Sequence, residues 1–438
     1  MAKIIRKLDL RGQTFTPAQL RNLVPRAALD IAQAAKQIEP LVEDIRARGA
    51  DAVREAIERF DGFAATDLWA STQEIDASMS SLDAKLRIAI ETAIARVRKV
   101  SEAAMPKGSE SKFADDSTVT GRWLPIDSVG LYVPGGKAVY PSSVVMNVVP
   151  AQVAGVKRLV IATPGQKEFG GRPHPTVLAV AGMLGVTDVL VVGGPAAIAS
   201  FAFGLDEIGL EPVDMVTGPG NIFVAAAKRL LRGQIAIDSE AGTTEILVLA
   251  DSSANARLIA YDLISQAEHD AAAASVLVSD SSELIEAVEL ELHSLIAKTR
   301  HSERVVEALA GQQSALVLVE DGETAIDFAN AYATEHLEIM TSDDQSVLEK
   351  IRHAGAVFVG KYSPVSLGDY MAGSNHVLPT GSTARFSAGL GVATFLRPQQ
   401  VISYSQAGLA EVAELIDTFA QAEGLPAHGE AVTARFSL

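Results

Sequence analysis

The feature that most constrains this sequence is a recurring order of apolar strand, glycine turn and helix. From Ser117 to Val133 the pattern is strand-like and ends in Pro134-Gly135-Gly136; a helical segment then runs to Ala154, and an apolar strand follows from Arg158 to Thr163. A helix from Pro175 to Leu184 leads to a strand from Asp188 to Val192, then Gly193-Gly194 and a helix from Ala196. After it, Val213 to Thr217 precedes Gly218-Pro219-Gly220-Asn221. Strands that alternate with helices pair in parallel, because each helix returns the chain to the same end of the sheet. A second series has apolar strands at Glu245–Ala250, Ser275–Val278, Ala315–Val319, Leu337–Met340 and Ala356–Val359. The spacing predicts two α/β units. The first 105 residues read as mostly helical, with apolar residues three and four apart in Ile38–Phe60 and Asp83–Met105. Beyond Arg385 a glycine- and serine-rich stretch and a helix from Leu409 to Ala422 are expected to form a tail outside the second sheet.

Composition removes several functions. None of the 438 residues is cysteine, which excludes disulfides, Cys-based zinc or iron–sulfur sites and a thiolate nucleophile. The 37 Lys+Arg against 54 Asp+Glu leave a formal net charge of −17, which argues against nucleic acid or an anionic membrane as partner, since both need clustered cations. Ala138 to Val156 is nineteen residues without a charge, near the length of a membrane span. Pro141, Pro150, Ser142, Ser143, Asn147 and Gln152 within it mark a buried α/β segment instead. The charged N-terminus lacks the apolar run of a secretory signal, so the expected compartment is the cytoplasm and the expected partners are small molecules.

Ligands of parallel sheets gather beyond the carboxyl ends of strands, where backbone N–H groups and helix N-termini can hold phosphate. Four glycine turns are placed to do so: Pro134-Gly135-Gly136, Pro164-Gly165, Gly193-Gly194 and Gly218-Pro219-Gly220. None completes a dinucleotide fingerprint, and Gly135-Gly136-Lys137-Ala138 lacks the Ser/Thr of a nucleotide-hydrolase loop; tight turns alone would explain them equally well. Along the helix from Asn255 to Asp270, Gln266 falls on the stripe of Ile259 and Leu263, with His269 about 60° further round. A polar residue there either satisfies a buried hydrogen bond or points at a ligand. Other candidates collect in loops: Glu335-His336, Asp369, Asn375-His376, Glu423 and His428. Nitrogen and oxygen donors without sulfur suit zinc or a similar divalent ion, and Glu335-His336 suits acid–base work. That pair precedes a strand, the wrong end for the sheet-end rule, so it has to face a neighbouring domain. His174, His293, His301 and His353 sit among charged or proline-rich residues and read as surface.

At these positions the sequence resembles the histidinol dehydrogenase family. The blocks are Gly130 to Gly136 with Tyr140 to Asn147, TGPGN at 217–221, SQAEHD at 265–270, EHLEI at 335–339 and GSNHVLPT at 373–380, with Ala422 to His428 at the end. The resemblance implies two Rossmann-like parallel-sheet domains with N- and C-terminal helical segments. It also implies oxidation of L-histidinol through a bound aldehyde to L-histidine, the last steps of histidine biosynthesis, with NAD and one Zn2+ per site. Carried over, Gln266, His269, Asp369 and His428 are the zinc ligands and also touch substrate, and Glu335 and His336 are the acid–base pair. Tyr132 and Asn221 contact NAD, and Thr244, His336 and Glu423 line the substrate. The tail crosses to the other subunit of a homodimer, so Glu423 and His428 complete the partner's site. The implied division is an N-terminal segment (1–25), a discontinuous α/β domain (26–130 and 238–382), an NAD-binding α/β domain (131–237) and the tail (383–438). Two departures stand out: Ala196 occupies a position where the family's usual glutamine contacts NAD, and Thr243 stands where proline is common. The competing expectations are a relative acting on another small amino alcohol or a sulfonated diol, and a zinc hydrolase.

Overall fold

The computed structural model describes residues 4–27, 30–113, 116–135, 139–240 and 242–437. In chain order its strands are β1 (Arg6–Asp9), β2 (Ser109–Lys112), β3 (Thr118–Pro125), β4 (Ser128–Tyr132), β5 (Arg158–Ala162), β6 (Val189–Leu190) and β7 (Met215–Thr217). They continue with β8 (Ala236–Ile237), β9 (Glu245–Ala250), β10 (Ala274–Ser279), β11 (Ala315–Leu318), β12 (His336–Met340), β13 (Ala356–Val359) and β14 (Leu396–Ser403). The fold is α/β. A six-stranded sheet has the order β1-β11-β10-β9-β12-β13 and a five-stranded sheet the order β6-β5-β4-β7-β8, with parallel pairing throughout both.

Both parallel sheets are covered on both faces, which is why their strands read as apolar runs. In β9, Ile246, Val248 and Ala250 pack into one core while Leu247 and Leu249 pack into the other, the two-residue period of a strand. The same alternation divides Leu131 from Tyr132 and Ile161 from Ala162 in the smaller sheet.

Three features differ from the sequence expectation. The single strand expected over Ser117–Val133 is two: β3 leaves for a three-stranded antiparallel sheet with β2 and β14, and β4 begins after Ser128 is tied to Asp214. The expected loop after Arg385 contains β14, an edge strand whose residues are mostly exposed and so carry little apolar signal. Residues 31–103, expected with the larger sheet, pack on the smaller one. Helix Ile31–Arg48 lies against helices Gly194–Phe203 and Ile222–Leu231, Thr72–Ser81 against Pro175–Met183, and Ala84–Ala103 against Pro141–Ala154. Their apolar stripes show that a face is buried, but a stripe does not name its partner. From the N-terminal region, β1 joins the larger sheet beside β11.

The chain ends in helices Gln406–Ala422 and Pro426–Thr433, which pack on each other with Gly429 pressed against Asp417. Leu415, Phe419 and Leu425 remain exposed at 62%, 72% and 45%, an apolar surface that this chain leaves uncovered.

Candidate active site

Helix Gly322–Tyr332 ends at Ala333, held in the left-handed conformation at φ 50°, and the chain turns through buried Thr334 into Glu335 and β12. A residue with a Cβ adopts this cap at a cost of about 1 kcal/mol, which surrounding contacts must offset. The turn drives Glu335 inward beside the start of β9. There one carboxylate oxygen accepts from the Thr244 hydroxyl at 2.6 Å and from the Glu245 N–H at 2.8 Å. Thr244 in turn accepts from the Gln266 amide N–H at 2.6 Å. The other end of that amide, Gln266 Oε1, is buried without a hydrogen-bond partner. Such an atom forgoes solvation for nothing unless a ligand completes it.

His336 sits 4% exposed, with Nδ1 3.0 Å from the Glu245 carbonyl. A carbonyl only accepts, so Nδ1 carries the proton and Nε2 keeps its lone pair. Burial lowers the His336 pKa and keeps the ring neutral at physiological pH. Burial acts oppositely on Glu335, raising its pKa well above the usual range despite the two donors, with the nearby charges of Glu245 and Asp369 adding to the rise. Glu245 thus supports both residues through its backbone. Its own buried carboxylate is paired with Arg26 at 3.0 Å and accepts from the Gly381 N–H at 2.6 Å.

Asp369, near the end of helix Val365–Tyr370, is close enough for its charge to act on His269, His336, His376 and Glu335. His269 follows helix Ala256–Ala267; its surface is open to solvent although protein surrounds it closely enough to lower its pKa, as at the wall of a cleft. Gln266, His269 and Asp369 therefore present a buried amide oxygen, an accessible neutral imidazole and a carboxylate, a donor set that fits zinc. Among the described residues no group of three or more His, Asp or Glu is arranged to hold a metal within one chain. Glu423 and His428 stand exposed on the terminal helices, apart from the other candidates.

His376, a candidate donor in the sequence that the family resemblance left without a role, belongs here too. Its Nδ1 donates to the Asp369 carbonyl at 3.1 Å and its Nε2 lies 3.4 Å from the Ser143 hydroxyl. Ser143 stands in the first turn of helix Pro141–Ala154, and Asn375 reaches the Met146 carbonyl of that helix at 2.6 Å. This is where the two sheets meet: the amino end of the larger faces the carboxyl end of the smaller. The signal in sequence was Asn375-His376 itself, but nothing local to it points to a serine more than two hundred residues earlier.

At the carboxyl end of the smaller sheet the glycine turns crowd together. A Cβ on Gly135 or Gly193 would meet Pro164 at 2.8 or 2.7 Å, and one on Gly218 would meet the Tyr132 carbonyl at 2.0 Å. Gly136 and Lys137 of the first turn lie outside the described residues. The buried Tyr132 hydroxyl accepts from the Gly194 N–H at 3.0 Å, tying the turn after β4 to the helix after β6. Helices Pro141–Ala154 and Gly194–Phe203 have no side-chain cap, which leaves first-turn N–H groups for a phosphate. Asn221 caps helix Ile222–Leu231 through Oδ1 and is exposed, with its NH2 free of that bond. These residues fit a dinucleotide. Ala196 is buried at 5% and offers a ligand no polar side-chain atom.

A buried ion pair holds the last turn. Lys228 Nζ donates to the Gly218 carbonyl at 2.5 Å and to Asp238 at 2.6 Å, while Asp238 accepts from the Gly218 N–H at 2.8 Å. Both side chains are nearly inaccessible, 2% and 4%. Sequence reasoning missed this clamp, because a lysine in an apolar helix reads as a solvated surface charge.

The profile of the histidinol dehydrogenase family matches residues 24–436. The histidinol dehydrogenase of Leifsonia xyli subsp. xyli is 55% identical over 429 residues, 98% of each chain. That of Thermobifida fusca is 54% identical over 435 residues, covering 99% of this chain and 98% of the relative. The crystal structure of histidinol dehydrogenase from Elizabethkingia anophelis superposes with a TM-score of 0.92 at 29% identity, over 100% of this chain and 99% of that one.

Proposed function

This chain belongs to the histidinol dehydrogenase family, and from that premise we propose that it oxidises L-histidinol to L-histidine in two steps, with NAD as oxidant and zinc in the site. The observation that carries the reading is the chain Gln266–Thr244–Glu335, with the orphaned Gln266 oxygen at one end and the neutral His336 ring beside the other. When bound, zinc would hold the amine and imidazole of the substrate while NAD accepts hydride. Gln266, His269 and Asp369 would hold the metal, with His428 of the other subunit as fourth ligand. Tyr132, Asn221 and the helix N-termini beside the glycine turns would hold NAD; Ala196 could contribute only apolar contact.

His336 Nε2 removes the hydroxyl proton as the first hydride leaves the alcohol carbon. The resulting aldehyde must gain water before it can lose a second hydride, and no cysteine is present to capture it instead. Glu335 takes a proton from that water through its carboxylate; a raised pKa makes it the stronger base once ionised. His336 returns its proton to the aldehyde oxygen as the hydrate forms and, neutral again, takes a hydroxyl proton from the hydrate as the second hydride leaves. One histidinol and one water thus yield one histidine, with four electrons leaving as two hydrides. The exposed apolar surface on the terminal helices supports a homodimer in which Glu423 and His428 enter the partner's site.

The test is the NADH yield per histidinol consumed by metal-loaded protein. Two are expected; one would mean an alcohol dehydrogenase that releases aldehyde, and none a hydrolase.

A further inference from the structure

Glu338 lies two residues beyond His336 on β12, hence on the same side of the strand, and is 1% exposed. Its Oε1 accepts from the Val365 N–H at 3.0 Å. Val365 opens the short helix that carries Asp369, and the residue before it, Pro364, provides no side-chain cap. A carboxyl from a strand thus does the capping. The other oxygen, Glu338 Oε2, is buried and meets no N–H or hydroxyl donor. The carboxyl of Asp262 is close enough to act on Glu338, and Oε2 finds a partner only if the two carboxyls are bonded to each other. Two acceptors form such a bond only by sharing a proton, and among the described residues no cation is paired with either. Burial pushes both carboxyls up, and the neighbouring carboxyl pushes Glu338 further, which favours one proton held between the two.

Asp262 stands one helical turn before Gln266 and about two before His269 on helix Ala256–Ala267. The helix bearing Asp369 is itself pressed down, since a Cβ on Gly368 would meet the Phe358 ring at 2.6 Å, and that ring lies 6.0 Å from the ring of His336. One buried carboxyl therefore bonds the first turn of the helix that carries Asp369 and lies beside a carboxyl of the helix that carries Gln266, from the strand that brings His336.

We propose that Glu338, tied to the Val365 amide and paired with Asp262, is a positioning residue that sets the spacing between Gln266, His269 and Asp369. The proposal rests on the reading of those three as metal ligands. Partners just outside a metal's ligands change affinity by about 10- to 100-fold when lost.

Three variants decide it. Glu338→Gln keeps one donor and one acceptor and should hold zinc within about threefold of wild type, measured by competition with a chromogenic chelator. Glu338→Met keeps the volume but removes both bonds, and should bind zinc at least about tenfold more weakly. Because Glu338→Met strands Asp262, the double variant Asp262→Leu/Glu338→Met replaces the whole pair with apolar groups and should fold. It should recover thermal stability yet keep the weakened zinc binding and a reduced kcat. A double variant with wild-type zinc affinity and kcat would overturn the proposal, as would Glu338→Gln as weak as Glu338→Met. Amide exchange at Val365, slow in wild type and Glu338→Gln but fast in Glu338→Met, reads the tether without metal or substrate. If wild type made no NADH from histidinol, the functional reading would fall while zinc affinity and exchange still judged the tether.

Discussion

The two parallel sheets present opposite ends to the same cleft, and each end offers the chemistry its backbone dictates. At the carboxyl end of the five-stranded sheet, helices begin, N–H groups face outward, and Gly135, Gly193 and Gly218 keep the surface nearly free of side chains. That end suits an anion. At the amino end of the six-stranded sheet, helices finish: Ala256–Ala267 before His269, and Gly322–Tyr332 before Glu335. Outward carbonyls and negative helix ends suit a cation and mobile protons. The carboxyl end of the six-stranded sheet is instead mainly acidic. A cavity of about 330 Å³ at the carboxyl ends of β9 and β12 is lined by Asp251, Asp280, Asp321 and Asp343, and Asp251 is already bonded to Ser253 and Ser342. The sheet-end rule describes one half of this protein, and the other half departs from it because its proposed ligand carries the opposite charge.

The comparison is broken most severely by removing the base at the amino end. Glu335→Gln should lower oxidation of supplied aldehyde by about 10²- to 10⁴-fold while largely sparing oxidation of histidinol to aldehyde, followed as single-turnover NADH formation. Equal loss of both steps would end the division of work between Glu335 and His336. The same variant carries a stability signature. Because burial raises the folded-state pKa of Glu335 above the ordinary 4.5, its neutral form supports the fold at low pH and that support is lost as pH rises through the folded value. Glu335→Gln is never charged. Its Tm should therefore gain on wild type between pH 5 and pH 8; a constant difference would show that Glu335 is ionised throughout.

Both sheets were legible in the sequence because every strand buried on two faces is an apolar run, as in Glu245–Ala250. What escaped was mostly exposed or long-range. The β1 strand, Arg6-Lys7-Leu8-Asp9, is mostly charged at a sheet edge, β14 is largely solvated, and the packing partner of residues 31–103 is not written in their own stripe. Within the site, Gln266 and the Glu335-His336 pair could be singled out by position, since a polar residue on an apolar stripe is conspicuous. Thr244 and His376 could be named from the sequence and Glu245 could not, but the bonds through which all three act reach residues about 90 or more than 200 positions away, and only the fold discloses those bonds.

Next in size is the clamp under the anion end. Lys228→Met leaves Asp238 buried without its cation, which should destabilise the protein by about 3–5 kcal/mol. Pairing it with Asp238→Leu should restore most of that stability without restoring the turn. The surviving double variant should show a KM for NAD raised by an order of magnitude and unchanged zinc affinity. A parallel fall in zinc affinity would mean the two ends are not independent, and the comparison would have to be redrawn as one coupled site.

The smallest change sharpens the same division. Tyr132→Phe removes only the hydroxyl that accepts from the Gly194 N–H, so the turn after β4 and the helix after β6 lose their bridge while the buried ring still fills the core. A lost hydrogen bond with an amide left behind costs about 1–3 kcal/mol if the amide remains dry, and less if water enters. Gly194 opens its helix at the cleft, where water can reach the amide, so the lower end is expected, with a Tm lower by about 1–2 °C. The KM for NAD should rise by no more than about threefold, because the other helix N-termini are intact. A rise comparable to that of the Lys228 double variant would mean that the Tyr132 hydroxyl, and not the helix N-termini beside it, carries most of the hold on NAD. The anion end would then depend on a side chain as the cation end does, and the contrast between backbone at one edge and side chains at the other would fail.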